Sequence, residues 1–226
     1  MNIGILGTGT VGRAIAGRLG ESGQAVMVGT RNVAETMART ASDAMGNPPF
    51  STWQKRHPKV KLGTFAKAAG HGELLFNCTA GAVSLEVLKL AGEANLNGKV
   101  LVDISNPLDF STGMPPTLSV CNTDSLGEQI QRAFPAVKVV KTLNTLNARL
   151  MVNPAMLADG AHTIFVSGNE AAAKAKVVEL LKSFGWEDII DLGDISTARG
   201  VEMVLPLWLR LFGAMPNPIF NFKIVR

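Results

Sequence analysis

The chain opens with MNIGILGTGTVGRAIAGRLGESGQAVMVGTRN (residues 1–32), and the reading of this stretch decides the fold. Residues 2–6 form an apolar run of strand length, residues 10–22 have helical character, and residues 25–29 are apolar again. Strand, Gly-rich turn, helix and strand make the first βαβ unit of a parallel sheet. The turn is Gly7-Thr8-Gly9-Thr10-Val11-Gly12. In this context Gly7 permits the tight turn, Gly9 lets a pyrophosphate approach the backbone, and Gly12 lets the helix pack close to the strand. The phosphates are expected on the N–H groups and positive end of the helix that starts near Thr10. No Gly-Lys-Ser/Thr follows, which excludes a P-loop; a Gly-rich turn that only packs is the other structural reading.

An NAD site carries Asp or Glu about 20 residues beyond the turn, where it binds the ribose hydroxyls. Here the second strand ends in Gly29-Thr30-Arg31-Asn32. A carboxylate would repel the extra phosphate of NADP, whereas Thr30 and Asn32 can donate hydrogen bonds and Arg31 can pair with it through its fork. The stretch therefore predicts NADP, against the alternative of a solvated arginine. Cys78-Thr79-Ala80 follows the fourth predicted strand and Asn106-Pro107 the fifth, at carboxyl ends where open α/β sheets bind ligands. Small residues there leave room for the nicotinamide ribose, although ordinary turn chemistry also accounts for Pro107.

Further strands are predicted at residues 59–62, 74–78, 100–104 and 137–142, and helices at 33–45, 84–91 and 125–134, with a short turn at 65–69. This alternation predicts a doubly wound α/β Rossmann domain over residues 1–150. Residues 151–226 read as a small α+β lobe: a strand at 163–166, a helix at 170–184, a strand at 188–191, then helix through Phe212. The 170–184 helix places Ala173, Val177, Leu180, Leu181 and Phe184 on one face. It has a capping-box pattern at Ser167/Glu170 and a stop at Gly185. The stretch VEMVLPLWLRLFGAMP (201–216) is apolar nearly all round, with Pro206 marking a kink or restart. Such a helix has to be covered, between lobes or across a dimer interface. Residues 109–122 are the least regular part.

With 226 residues, 46% of them hydrophobic, the chain can bury one substantial core or a main domain with a smaller companion. The net charge of +4 comes from 22 basic and 18 acidic residues without long runs, which argues against a nucleic-acid partner and for an anionic small ligand. Cys78 and Cys121 lack metal-ligand spacing and read as reduced thiols of a cytoplasmic protein; no secretory signal or membrane span is expected. The chain has no tyrosine, which removes the Tyr/Lys acid of short-chain dehydrogenases. His57, His71 and His162 are dispersed and read as surface or strand-edge residues, so neither a zinc site nor a catalytic acid is nominated. What remains well supported is hydride transfer between a nicotinamide and a flavin-like ring, which asks the protein for orientation alone. Two alternatives stay open: a non-catalytic NADPH-binding redox sensor, and an imine or carbonyl reductase with Lys141 as its acid.

Five segments carry a family resemblance: residues 1–32, LLFNCTAGAV (74–83), VLVDISNP (100–107), VVKTLNTLNA (139–148) and DISTARGVEMVLPLWLRLF (194–212). Together they resemble the F420-dependent NADP oxidoreductase family over nearly the whole chain. The resemblance implies a homodimer that binds NADP on the N-terminal domain and stacks a deazaflavin (coenzyme F420), or a flavin as second substrate, on the nicotinamide. Thr8, Thr30 and Arg31 match the family's NADP-contacting positions, and Asn144-Thr145 falls where the family's chain passes the nicotinamide. The acceptor is expected between Thr79–Ala80, Asn106–Pro107, Asn144–Leu146 and the helix around Leu207–Leu211, with Arg149 and Arg210 as candidates for its acidic tail. Related ferric-reductase domains of membrane proteins use NADPH similarly. The segment MGNPPFSTWQKRHPK (45–59) departs from the family pattern and reads as an insertion beside the adenine end or the cleft mouth.

Overall fold

The computed structural model of the chain describes residues 1–43, 46–217 and 219–226. Its strands are β1 (Asn2–Leu6), β2 (Ala25–Thr30), β3 (Lys61–Thr64), β4 (Leu74–Asn77), β5 (Val100–Asp103), β6 (Leu108–Asp109), β7 (Thr117–Leu118), β8 (Lys138–Thr142), β9 (Thr163–Ser167) and β10 (Asp188–Asp191). Its helices are α1 (Thr10–Glu21), α2 (Val33–Ala38), α3 (Phe50–Arg56), α4 (Phe65–His71), α5 (Gly81–Ala91), α6 (Glu93–Leu96), α7 (Leu126–Ala133), α8 (Ala148–Val152), α9 (Ala171–Phe184), α10 (Ala198–Met203) and α11 (Leu205–Ala214).

Eight strands form one sheet in the order β10-β9-β8-β5-β4-β1-β2-β3. Every residue of β4 and β5 is buried, as strands covered on both faces require. The strand period of two splits the core between the faces. Ile3, Ile5, Leu74 and Phe76 pack with Ile15, Leu19 and Trp53 on one side. Leu6, Leu75 and Leu101 pack with Leu88 and Ile130 on the other. Each such fully buried side chain contributes about 1.5–3 kcal/mol. After β3 the chain crosses to the far side of β1, so the topological switch point lies between β1 and β4. The turn after β1 and the loops after β2, β4, β5 and β8 open at that one edge, which is where ligands of such sheets bind.

The Rossmann reading stands, with local corrections. The strands of residues 163–191 extend this same sheet: β9 pairs antiparallel with β8, and β10 parallel with β9. The helix expected over 33–45 stops at Ala38, where Arg39 turns extended; Ala44 and Met45 lie outside the described residues. Arg39, Thr40, Ala41, Ser42 and Asp43 offer no apolar face, and Ser and Asp favour local turns over helix. The third strand begins at Lys61 and not at residue 59, because Pro58 and Lys59 form a turn closed by the Val60 N–H donating to the His57 carbonyl; it ends at Thr64, which caps α4 by accepting from the Lys67 N–H. The expected capping box is absent: Ser167 belongs to β9 and accepts from Thr197, and Glu170 stands at the start of α9 with no side-chain cap. Gly185 does end α9 in the left-handed conformation. The irregular stretch folds as a small β6–β7 hairpin.

Pro206 restarts the chain as α11, as a proline in a first turn does. The restart leaves Met203, Leu207, Phe212 and Met215 open to solvent, so the apolar helix is not covered within one chain. His162 is buried and not at the surface, held between the Pro154 carbonyl and Asn221 and edge-on to Trp186. Among the described residues no helix is long and apolar enough to cross a membrane.

Candidate functional site

The Gly-rich turn has the shape its spacing requires. Gly7 is at φ +120, where glycine is favoured, and a Cβ on Gly12 would stand 2.2 Å from the Gly7 carbonyl oxygen. A Cβ on Gly9 would meet nothing within 4 Å. No side chain caps the N-terminus of α1, so its first N–H groups point into this space. An open helix N-terminus beside a bare glycine fits a pyrophosphate.

A cleft of about 430 Å³ continues from the turn. Gly9, Thr10 and Val11 line one side, Cys78, Thr79, Ala80 and Gly81 another, and Ile104, Ser105 and Asn106 the floor. The packing that makes it is tight: a Cβ on Gly81 would lie 2.0 Å from the Asn106 carbonyl oxygen. Asn106 and Asn144 grip each other, with Asn106 Nδ2 donating to the Asn144 carbonyl (2.8 Å) and Asn144 Nδ2 to Asn106 Oδ1 (3.0 Å). Asn144 Nδ2 also donates to the Val201 carbonyl, and Thr145 is buried beside it. The Pro107 carbonyl accepts from the Ser119 N–H and holds the hairpin against the cleft. Leu108 and Phe110 of that hairpin form the rim.

The helix segment Leu207–Leu211 does not line this cleft within one chain, contrary to the sequence expectation; the β6–β7 hairpin stands there instead. Arg149 and Arg210 are exposed, without ion-pair partners among the described residues, and neither lines the cleft.

Under the floor lies a buried charged network. Lys141 Nζ donates to Asp103 Oδ2 (2.8 Å) and to the Ser105 carbonyl, and pairs with Glu202 Oε1 (2.8 Å). Glu202 in turn accepts from the Leu126 and Gly127 N–H groups at the start of α7. Asp103 Oδ1 accepts from Asn77 Nδ2, and Asn77 Oδ1 accepts from Thr79 Oγ1, which reaches the cleft wall. Desolvation lowers the Lys141 pKa, but attraction by Asp103 and Glu202 outweighs it and holds the ammonium above its ordinary value. Lys141 is fully buried and committed, so it does not present an acid to the cleft as the reductase alternative asked. Burial, reinforced by the charge of Asp103, pushes the Cys78 thiol far up and keeps it protonated. No cluster with metal-binding geometry occurs among the described residues.

At the end of β2, Thr30 turns inward and shares a hydrogen bond with Thr36 (2.7 Å). Asn32 caps α2 by accepting from the Glu35 N–H and donates to the Glu35 carboxylate. Arg31 points outward and pairs with Glu86 of α5 at 2.8 Å. Residues 47–56 pack beside the turn. Phe50 and Trp53 of α3 are buried, Asn47 Nδ2 donates to Thr10 Oγ1 (2.7 Å), and Arg13 donates to the Thr8 and Pro48 carbonyls. Asn47, Glu86 and Phe110 escaped the sequence reading, the first two because nothing local marks them. Phe110 alone had a signal, as an aromatic residue in an irregular loop after a strand end.

A Gly-rich turn at a switch point, an open helix N-terminus and a neutral cleft define a dinucleotide-binding protein of the Rossmann class. Residues 2–107 match the family model described as NADP oxidoreductase, coenzyme F420-dependent. A solved structure from Arthrobacter sp. FB24, provisionally named an F420-dependent NADP-reductase, is 60% identical, with both chains covered in full and a TM-score of 0.95. The F420-dependent NADP reductase of Methanocaldococcus jannaschii is 29% identical over 93% of this chain and 92% of its own length. Metalloreductase STEAP3 of Rattus norvegicus is 30% identical over 91% of this chain, which spans only 37% of that protein. The chain belongs to the F420-dependent NADP oxidoreductase family and is an NADP-dependent oxidoreductase.

Proposed function

We propose that this chain transfers hydride between NADP(H) and a planar deazaflavin (coenzyme F420) or flavin-like acceptor. The observation that carries the reading is the lining of the cleft. It consists of backbone, hydroxyl, amide and apolar groups and the Cys78 thiol, which burial keeps protonated, while the nearby ionisable groups Asp103, Lys141 and Glu202 are sealed beneath it and bound to one another. A site of this kind orients two rings and moves no proton of its own. Bound NADPH supplies the hydride. Gly7, Thr8, Gly9, Thr10, Val11 and Gly12 hold the pyrophosphate on the N-terminus of α1. Arg31, between Thr30 and Asn32, takes the 2′-phosphate. Cys78, Thr79, Ala80, Asn106, Pro107, Asn144 and Thr145 shape the nicotinamide end and exclude water from it.

The open apolar face of α11 supports a homodimer in which a second chain completes the roof. The exposed, unpaired Cys121 supports a reducing, cytoplasmic setting. The test is anaerobic mixing of purified protein, NADPH and oxidised deazaflavin, followed by loss of the deazaflavin's visible absorbance, with FMN and NADH as controls. Rapid bleaching specific to NADPH is expected. If NADPH binds and none of these rings is reduced, the acceptor assignment fails, and the weight moves to another acceptor or to the redox-sensor alternative.

A further inference from the structure

Arg31 is the cation at the end of β2 that the proposed function gives to the 2′-phosphate, and it already has an anionic partner. Its Nη2 donates to Glu86 Oε1 at 2.8 Å, joining the end of β2 to α5 across the mouth of the loop edge. The neighbouring groups are committed elsewhere, Thr30 to Thr36 and Asn32 to Glu35. Both members of the pair are largely exposed, at 64% and 58%, so burial does not lock them together. An exposed pair of this kind is weak and exchangeable. A phosphate monoester offers the same fork-shaped set of oxygens as a carboxylate with up to twice its charge.

We propose that Glu86 is a specificity-determining residue: it holds Arg31 in the free cleft and is the group that the 2′-phosphate of NADP(H) displaces. The proposal rests on the reading of Arg31 as the 2′-phosphate ligand. Glu86 then acts on the phosphorylated cofactor in two ways, by occupying the guanidinium and by placing a negative charge beside the incoming phosphate. NADH has no such phosphate and leaves the pair standing, so its affinity does not depend on Glu86. Removing the carboxylate sharpens the preference for NADPH instead of relaxing it.

The experiment titrates NADPH and NADH, with 2′,5′-ADP and 5′-AMP as fragments of the adenosine end, into the wild type, Glu86→Gln, Arg31→Ala and the double variant. Both positions are exposed, and the variants keep the fold. Glu86→Gln is expected to tighten NADPH and 2′,5′-ADP by about two- to fivefold, the equivalent of an exposed ion pair, with NADH and 5′-AMP unchanged. The gain should vanish in the double variant. Unchanged or weaker NADPH binding by Glu86→Gln, while Arg31→Ala still loses NADPH selectively, overturns the role of Glu86 and leaves the Arg31 assignment intact. Equal weakening of NADPH and NADH by Arg31→Ala overturns the Arg31 assignment itself.

Discussion

Gly9 and Gly12 lie three residues apart in one turn and answer to different physical demands. At Gly12 a Cβ would meet the Gly7 carbonyl oxygen at 2.2 Å, a backbone atom that cannot swing away. Gly12→Ala is therefore expected to force α1 off β1 and to cost about 1–3 kcal/mol of stability, as overpacking does. At Gly9 the backbone is at φ −74 and ψ −174, open to any residue, and a Cβ would meet nothing of the protein within 4 Å. Gly9→Ala should leave unfolding within about 0.5 kcal/mol of wild type. It should nevertheless weaken NADPH binding by more than about tenfold, because the methyl stands where the pyrophosphate must approach. Urea denaturation and NADPH titration on the same two variants separate the demands. Normal NADPH binding by Gly9→Ala would show that the pyrophosphate does not cross this turn.

At the scale of elements, α10 ties the floor of the cleft to the rest of the molecule through two successive residues. The Val201 carbonyl accepts from Asn144, and Glu202 joins Lys141 to the first N–H groups of α7. Lys141→Ala would leave Asp103 and Glu202 buried without their counter-charge, and a loss of about 3–5 kcal/mol is expected in urea unfolding. The Lys141 pKa is raised in the folded protein, so its contribution is complete below the ordinary lysine value and fades as pH rises past the folded one. The alkaline fall in stability should therefore be shallower in Lys141→Ala. α7 carries the opposite case. Hydrogen bonds from Arg132 hold the Asp124 carboxyl down to about 2, from 3.8. That stabilisation is present above the unfolded value and is lost as pH falls through the folded one, so thermal melts of wild type and Asp124→Asn should converge as pH drops from about 4 to about 2.

The same elements show what a sequence can carry. The strands of the Rossmann core were readable because a doubly covered sheet needs unbroken apolar runs, and α1 because its glycines stand at fixed offsets. Helix α5 begins at Gly81, earlier than its apolar spacing suggests, since Gly81, Ala82 and Val83 show little periodicity. The hairpin at 108–118 is held by the Pro107–Ser119 hydrogen bond, which no local pattern announces. Arg31 was legible as a residue out of place for NAD, but its partner Glu86 lies 55 residues away and only the folded chain brings them together.

At the scale of the molecule, helices cover the eight-stranded sheet, the small β6–β7 hairpin stands beside it, and the apolar helix α11 is left partly open to solvent. Trp208 stacks on Phe212 and on Phe220, each at 5.2 Å, and anchors α11 on one side. Leu207 is 55% exposed, and Met203 and Met215 at the two ends of the segment are exposed as well. A monomer gains nothing from such a surface, and a stable pair of chains needs about 1,200–2,000 Å² of buried area, which an apolar helix face and its surroundings can seed. The proposed dinucleotide cleft, by contrast, is not lined by Leu207–Leu211, so NADPH binding and self-association should come apart. Leu207→Glu places a charge in the centre of the apolar face. It is expected to shift sedimentation equilibrium from dimer to monomer while NADPH still binds with near wild-type affinity. Hydride transfer to the deazaflavin should then fall, as the proposed homodimer, with its roof completed from the second chain, requires. A Leu207→Glu protein that remains dimeric would place the interface elsewhere. A monomeric variant with full turnover would confine both substrates to the cleft between α1, α5 and the β6–β7 hairpin.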